Sequence, residues 1–285
     1  MLFDIFIEAV LDSIKMLPFL FLAYLLIEYI EHRHSDGIEH ALARGGHLGF
    51  VPGALLGLVP QCGFSAMASN LYASKVITLG TLLAVFLSTS DEAIPLLLAS
   101  PNAWRSLLPL LCIKIIVALV AGFLIDFVFA RLLPPAVRGG YAGTGSDAVD
   151  CHEHVESDGI FVAACKHTLH IFLFIFLFNL ALGALVSLVG EQAITSALNA
   201  AGIWQPFVAG LIGLIPNCAA SVLLTQMYTA GQLTFGSVVA GLCTSAGVGL
   251  AVLFRVNKSA KQNMLIIGLL YGFGVIAGLL CNVLF

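Results

Sequence analysis

The sequence predicts an all-α polytopic membrane protein made of two inverted-topology repeats. Three observations carry this prediction: an apolar composition, six long apolar runs, and a short motif that occurs twice. Of the 285 residues, 60% are hydrophobic and 10% are charged, and the mean hydropathy is +1.03. Soluble domains carry about 25% charged residues, so this composition excludes an ordinary water-soluble fold.

The six apolar runs each exceed the roughly 20 residues that a helix needs to cross a bilayer. The first run is not a cleaved signal peptide, because it contains Asp4, Glu8 and Asp12 and lacks a basic start. We therefore expect membrane-spanning helices within residues 5–31, 76–99, 104–130, 159–189, 232–254 and 262–285.

The repeated motif reads LLGLVPQC at residues 55–62 and LIGLIPNC at residues 211–218, a spacing of 156 residues. The same spacing pairs Tyr72 with Tyr228, so the register holds beyond the motif. Two copies at a fixed spacing indicate that the two halves of the chain are related and share one central site.

This spacing divides the chain into three parts. Residues 1–133 are predicted to form the first membrane repeat, and residues 159–285 the second. The segment 134–158 between them is rich in glycine and predicts a flexible cytoplasmic linker. The linker contains Cys151-His152-Glu153-His154, a cluster that attracts metal ions.

Each copy of the motif lies in a glycine-rich apolar segment, residues 46–74 and 202–231. The stretches on either side of each proline are about 14 residues long, too short to span comfortably, and proline breaks a helix. Each segment therefore predicts a broken or re-entrant helical hairpin, with two kinked packing helices as the alternative. Paired breaks at membrane depth point to a substrate site, so we predict substrate binding by Gln61, Cys62, Asn217 and Cys218.

Lysine and arginine residues predict the orientation. If each hairpin enters and leaves on one side, the opposite face collects Arg105 alone. The positive-inside rule then places both termini outside the cytoplasm and inverts the second half relative to the first. The residues on the basic face are Arg33, Arg44, Lys75, Arg131, Arg138, Lys166, Arg255, Lys258 and Lys261.

Two pairs of ionisable residues recur at matching places in the first span of each repeat. Asp12 and Lys15 are three residues apart, as are His167 and His170, and each pair precedes a phenylalanine-rich stretch. A charge at the bilayer centre costs roughly 2.5–3.5 kcal/mol, so such residues are functional candidates. We predict that all four couple transport to protons or cations; a buried Asp12–Lys15 ion pair and an interfacial His167 are the structural alternatives.

Asp91 and Glu92 form the most acidic point within an apolar run, and they occur in one half only. One carboxylate can face the site while the other pairs with Lys114 or a proton. Hard divalent cations prefer carboxylate and amide oxygens, so we predict metal binding by Asp91, Glu92, Gln61 and Asn217. The alternative places the two acids near the outer interface, in contact with water.

Four strings carry a resemblance to a known family: GLVPQCGFSA, STSDEAIP, GLIPNCAASVL and AGLCTSAGVGLAVLFRVNK. They resemble the bacterial family of manganese transporters, or ten-span heavy-metal exporters, which is distantly similar to the organoarsenical permeases. The resemblance covers nearly the whole chain and implies a multi-pass exporter of metal or metalloid in the bacterial inner membrane. The family's acidic pair matches Asp91 and Glu92, and its hairpin tips match Pro60-Gln61-Cys62 and Pro216-Asn217-Cys218. The histidine-rich central loop of the family is short here.

We therefore predict a secondary transporter that exports a divalent metal ion such as manganese, by alternating access to a midplane site in the lipid bilayer. The sequence has no ATP-binding motif, so an ion gradient must drive transport. It predicts no enzyme activity, no cofactor and no nucleic-acid partner, and it leaves the oligomeric state open, a homodimer included. The alternative substrates are a metalloid or an anion: arsenite, an organoarsenical or an oxyanion. An intramembrane hydrolase that uses His167 and His170 is a remote alternative.

Overall fold

The computed structural model describes residues 48–59, 62–90, 93–99, 104–131, 133–139 and 201–284, together with isolated positions within 10–21 and 165–198. Within these ranges the regular elements are helices, with one isolated β-bridge between Thr78 and Gly139. Three helical stretches there are long and apolar enough to cross a membrane: Arg105–Arg131, Phe235–Val256 and Ala260–Leu284. The predicted all-α polytopic fold class is confirmed.

The first half contains a helical hairpin, a broken helix and a long helix. At about 1.5 Å per residue, each hairpin helix is far shorter than the roughly 30 Å core of a bilayer. The long helix continues through a π-helical segment and a 3-10 turn, Leu124–Val128 and Phe129–Arg131. The helices are α1 (Phe50–Gly57), α2 (Cys62–Ala73), α3 (Leu79–Ser88), α4 (Ala93–Ala99) and α5 (Trp104–Phe123).

The second half repeats this order after a 3-10 turn, Gly202–Trp204. Adding 156 to the bounds of α2 and α3 gives the bounds of α8 and α9 with no offset. The described parts of the two halves therefore share one helix order and one register. The helices are α7 (Gln205–Gly213), α8 (Cys218–Thr229), α9 (Phe235–Thr244), α10 (Val248–Val256) and α11 (Ala260–Leu284).

A one-turn helix, α6 (Pro135–Arg138), lies between the halves. It packs on α3, and the Tyr72 hydroxyl donates a 2.6 Å hydrogen bond to the Val137 carbonyl. The first residues of the predicted linker thus pack against the first half, whereas Cys151, His152 and His154 lie outside the described residues.

The apolar runs over 76–99 and 232–254 are each interrupted between two helices, which corrects their interpretation as continuous helices. Helices α9 and α10 together still form the membrane-length stretch Phe235–Val256. The first run stops at Ser88: Thr89 leaves the helical conformation with a ψ of 126°, while the Ser88 and Thr89 hydroxyls and the Thr89 N–H all donate to the Val85 carbonyl. The second stops at Thr244, where the Ala246 N–H turns back to the Thr244 carbonyl. Gly247 then takes a φ of 53°, a conformation that favours glycine, before α10 begins.

The halves exchange their broken helices. Helix α10 of the second half packs on α2 of the first, and α4 of the first half packs on α8 of the second. Helices α3 and α9 meet between them and supply one shared core, to which Leu82, Phe86, Val238 and Leu242 contribute. The long helices α5 and α11 expose apolar side chains outward, Leu108 and Ile276 among them, as a lipid-facing surface requires.

Candidate functional site

The glycine of the repeated motif holds each hairpin against a helix break. A Cβ on Gly57 would overlap the Ser88 hydroxyl and the Val85 carbonyl at the end of α3. In the second half, a Cβ on Gly213 would overlap the Gly241 carbonyl and the Thr244 hydroxyl at the end of α9. Only a residue without a side chain permits this approach, so each motif places the end of its first hairpin helix, α1 or α7, beside the break of its own half.

A second set of contacts ties the first hairpin to the break of the second half. The Ser69 hydroxyl of α2 donates a 2.7 Å hydrogen bond to the Gly249 carbonyl in the first turn of α10. A Cβ on Gly249 would lie 2.6 Å from the Ser65 Cβ. The start of α10 is therefore pressed against the hairpin helix of the other half, next to the interruption at 245–247.

Lys114 connects the two breaks directly. Its side chain projects from α5 into the core and is fully buried, at 0% exposure. The ammonium Nζ donates to the Thr89 carbonyl at the first break and to the Leu242 carbonyl at the second, the latter at 2.7 Å. The ends of α1 and α7 and both breaks therefore converge on one region between the halves, and the buried Lys114 side chain lies within it.

The tip of the second hairpin has its own helix cap. Asn217 has extended backbone, with φ −145° and ψ 144°, and its Oδ1 accepts a 3.2 Å hydrogen bond from the Ala219 N–H. Cys218, the first residue of α8, is buried, and its carbonyl accepts a 2.8 Å hydrogen bond from the Ser221 hydroxyl. The amide oxygen that the sequence predicts as a ligand thus also satisfies the start of a helix.

Several predicted site residues lie outside the described residues. Cys62 opens α2, the counterpart of Cys218 at the start of α8. Ser90 and Ala93, which flank the acidic pair, are both buried. Beyond the described ranges lie Gln61, Asp91 and Glu92, and the predicted coupling residues Asp12, Lys15, His167 and His170.

Sequence analysis named Lys114 only as a partner of Asp91 or Glu92, and it did not consider Ser245, which follows α9 at the second break. Lys114 was visible as a lone lysine in the apolar run 104–130, at a position where the second half has Leu270. Ser245 corresponds to Thr89 by the same spacing. Neither belongs to a recognisable metal motif, and within the described residues no three His, Cys, Asp or Glu side chains form a cluster that could hold a metal ion.

The chemistry of this region is that of oxygen ligands and helix ends. Carbonyl groups at the ends of α3 and α9 present partial negative charge, which attracts cations. Helices α2, α8 and α10 begin at the tips and at the second break, and their N–H groups attract anions. The region where the two halves meet can therefore bind a small ion, and the surrounding side chains determine whether that ion is a cation or an anion.

Comparison with known proteins agrees with this architecture. A family model described as "Putative, 10TM heavy-metal exporter" matches residues 2–189 and 161–285. No curated protein and no solved structure matches the chain. Since the family matches extend over nearly the full sequence, the chain is a multi-pass membrane protein that belongs to the family of ten-span heavy-metal exporters.

Proposed function

We propose that this protein is a secondary transporter that exports a divalent metal ion such as manganese, through alternating access to a site at the convergence of the two halves. The observation that carries the proposal is the exchange of broken helices, with α10 packed on α2 and α4 packed on α8. In membrane transporters, discontinuous helices of two repeats enclose the substrate site near the bilayer midplane.

The proposed metal ligands are Asp91, Glu92, Gln61 and Asn217, with Cys62 and Cys218 beside them. Asp91 and Glu92 follow Ser90 directly, at the break that Lys114 contacts through Thr89. The Asn217 oxygen already accepts one hydrogen bond from Ala219, but a carbonyl oxygen has a second lone pair for a metal ion. An oxygen-rich set of this kind suits manganese.

The distribution of lysine and arginine and the paired ionisable residues of the first spans support the remaining parts of the proposal. We place the first repeat at 1–133 and the second, inverted, at 159–285, with both termini outside the cytoplasm of a bacterial cell and the protein in its inner membrane. A gradient of protons or cations drives export, and Asp12, Lys15, His167 and His170 couple the gradient to transport.

A second candidate substrate is a metalloid or an anion, such as arsenite. One observation favours it: cysteine is the first residue of both α2 and α8, Cys62 and Cys218, so a cysteine stands at the positive N-terminal end of each of these helix dipoles. Trivalent arsenic binds thiols, and oxyanions bind helix N-termini.

Export assays in cells distinguish the two candidates. Cells that express the protein should accumulate less manganese than cells with an empty vector, at equal growth and equal arsenite content. Lys258→Met, which removes a charge from an exposed loop residue, serves as a matched variant that should export like the wild type. Reduced arsenite with unchanged manganese would replace the first candidate with the second.

A further inference from the structure

Lys114 is a buried cation that main-chain carbonyls from both halves hold in place. The side chain is fully buried, and its Nζ donates to Thr89 O and Leu242 O. An ammonium group in an apolar interior is costly unless polar groups replace its water shell. The two carbonyls therefore act on Lys114 as they would act on a dehydrated metal ion.

Both carbonyls are available because the helices break where they do. Thr89 ends α3 with a ψ of 126°, which turns its carbonyl out of the helix. In a continuous helix the Leu242 carbonyl would accept from the Ala246 N–H, but that N–H donates to Thr244 O at 3.0 Å. Freed carbonyls at the ends of half-helices are the groups that coordinate cations in transporters with discontinuous helices.

Ser245, the residue after α9, carries a further side-chain oxygen at the second break. Its counterpart Thr89 uses its hydroxyl to donate a 2.7 Å hydrogen bond to Val85 O. The Ser245 hydroxyl is buried, at 3% exposure, and has no hydrogen-bond partner among the described residues. A buried hydroxyl without a partner loses its hydration energy, so it favours a bound ion or another polar group beside it.

We propose that the Lys114 ammonium occupies the cation position of the transporter when no metal is bound, so that metal and ammonium exclude each other from the carbonyls of Thr89 and Leu242. This inference rests on the proposed export of a divalent metal. Two positive charges cannot share these oxygens at close range. Lys114 therefore weakens metal binding and, by returning to the carbonyls, promotes release of the metal on the far side.

The test measures binding and transport of manganese by purified protein. Lys114→Met keeps the length of the side chain and removes its charge, and we expect it to lower the dissociation constant for Mn²⁺ at least about tenfold. In proteoliposomes the half-saturating concentration should fall and the maximal rate should fall with it, because release becomes slow. Lys114→Arg, which keeps the charge, should bind no more tightly than the wild type. Lys258→Met, the same substitution at an exposed position, should change neither quantity.

The possible results separate this inference from the function on which it rests. An unchanged or raised dissociation constant in folded Lys114→Met overturns the role of Lys114 and leaves metal export standing. If Lys114→Met does not elute as a folded species from gel filtration, Lys114→Gln replaces it with the same expectation, since its amide still donates a hydrogen bond. Absence of Mn²⁺ binding in the wild type and in every Lys114 variant overturns both proposals.

Discussion

Asp126 and Asn282 accept equivalent hydrogen bonds in the two halves of the protein. The Gly80 N–H donates to Asp126 Oδ1 at 3.0 Å, and the Gly236 N–H donates to Asn282 Oδ1 at 3.1 Å. The two acceptors are 156 residues apart, and the two glycines lie in the first turns of α3 and α9. A carboxylate and a carboxamide therefore perform one task, which is to satisfy a backbone N–H at the start of a broken helix.

The natural amide in the second half predicts how Asp126 responds to substitution. Asp126→Ala removes the acceptor for Gly80 N–H and for the Thr78 hydroxyl, which donates to Asp126 Oδ2 at 2.6 Å. We expect it to lower the free energy of unfolding by about 1–3 kcal/mol, the usual cost of leaving buried polar groups unpaired. Asp126→Asn should lose less than half as much, measured by unfolding of purified protein in detergent. Equal losses would show that the charge or the second carboxylate oxygen, rather than the acceptor for the Gly80 N–H, matters.

The glycines of the repeated motif predict a steric effect on transport. Gly57→Ala and Gly213→Ala each force a methyl group into the end of a broken helix, so both should abolish export while the protein still reaches the membrane. Gly268→Ala and Gly272→Ala are matched controls in α11, because a Cβ at either position meets no atom within 4 Å. Metal accumulation in cells that express each variant is the measurement. Wild-type export by both motif variants would mean that the close approach is unnecessary.

The shared helix register of the two halves and the helix ends next to Pro60 and Pro216 could be predicted from the sequence, because both depend on local chemistry. Identical residues at one spacing indicate the register of the halves, and Pro60 and Pro216 disfavour a continuous helix at their positions. Asn217 also carried a readable signal, since asparagine directly before an apolar helical run is a common N-cap. The sequence interpretation assigned it to the substrate alone.

The breaks in the two apolar runs were missed because apolar content alone does not distinguish one long helix from two short ones. The signals were present in the hydroxyl residues Ser88 to Ser90 and in Thr244 to Gly247, which compete for carbonyls or allow a positive φ. The partners of Lys114 could not be predicted in this way. Its ammonium donates to main-chain carbonyls that lie 25 and 128 residues away in the sequence. Because every residue has a main-chain carbonyl, the residue types do not indicate which carbonyls the lysine contacts.

The paired tips predict which class of ion the protein moves. If the substrate is manganese, Cys62→Ser and Cys218→Ser should keep substantial transport, and Gln61→Ala and Asn217→Ala should lose it, because oxygen atoms are the ligands. For arsenite the order should reverse. Vesicle uptake of both ions by the four variants is the measurement.

One control is needed at the second tip, because Asn217 also caps α8. Loss of a cap costs about 1 kcal/mol, so Asn217→Ser, which keeps a capping oxygen, separates stability from binding. If all four tip variants transport the wild-type substrate at undiminished rates, the repeated motif contributes only to packing and the substrate site lies elsewhere.

The distribution of basic residues predicts the orientation in the membrane. Both termini should lie outside the cytoplasm and residues 143–146 inside it. Reporter fusions after Phe285 and within Gly143–Ser146, active on one side of the membrane only, measure this. A cytoplasmic C-terminus would contradict the inverted arrangement of the halves.

Transport by purified protein in vesicles tests metal export through the central site most directly. Wild-type protein should transport Mn²⁺ when a gradient of the coupling ion is imposed across the vesicle membrane. Asp91→Asn and Glu92→Gln should each abolish this transport, because the near-isosteric amides keep the packing and remove the charge that binds the metal. Lys258→Met should transport like the wild type and so exclude a general effect of altered charge. Wild-type rates in both acidic-residue variants would contradict a cation site at the convergence of the two halves.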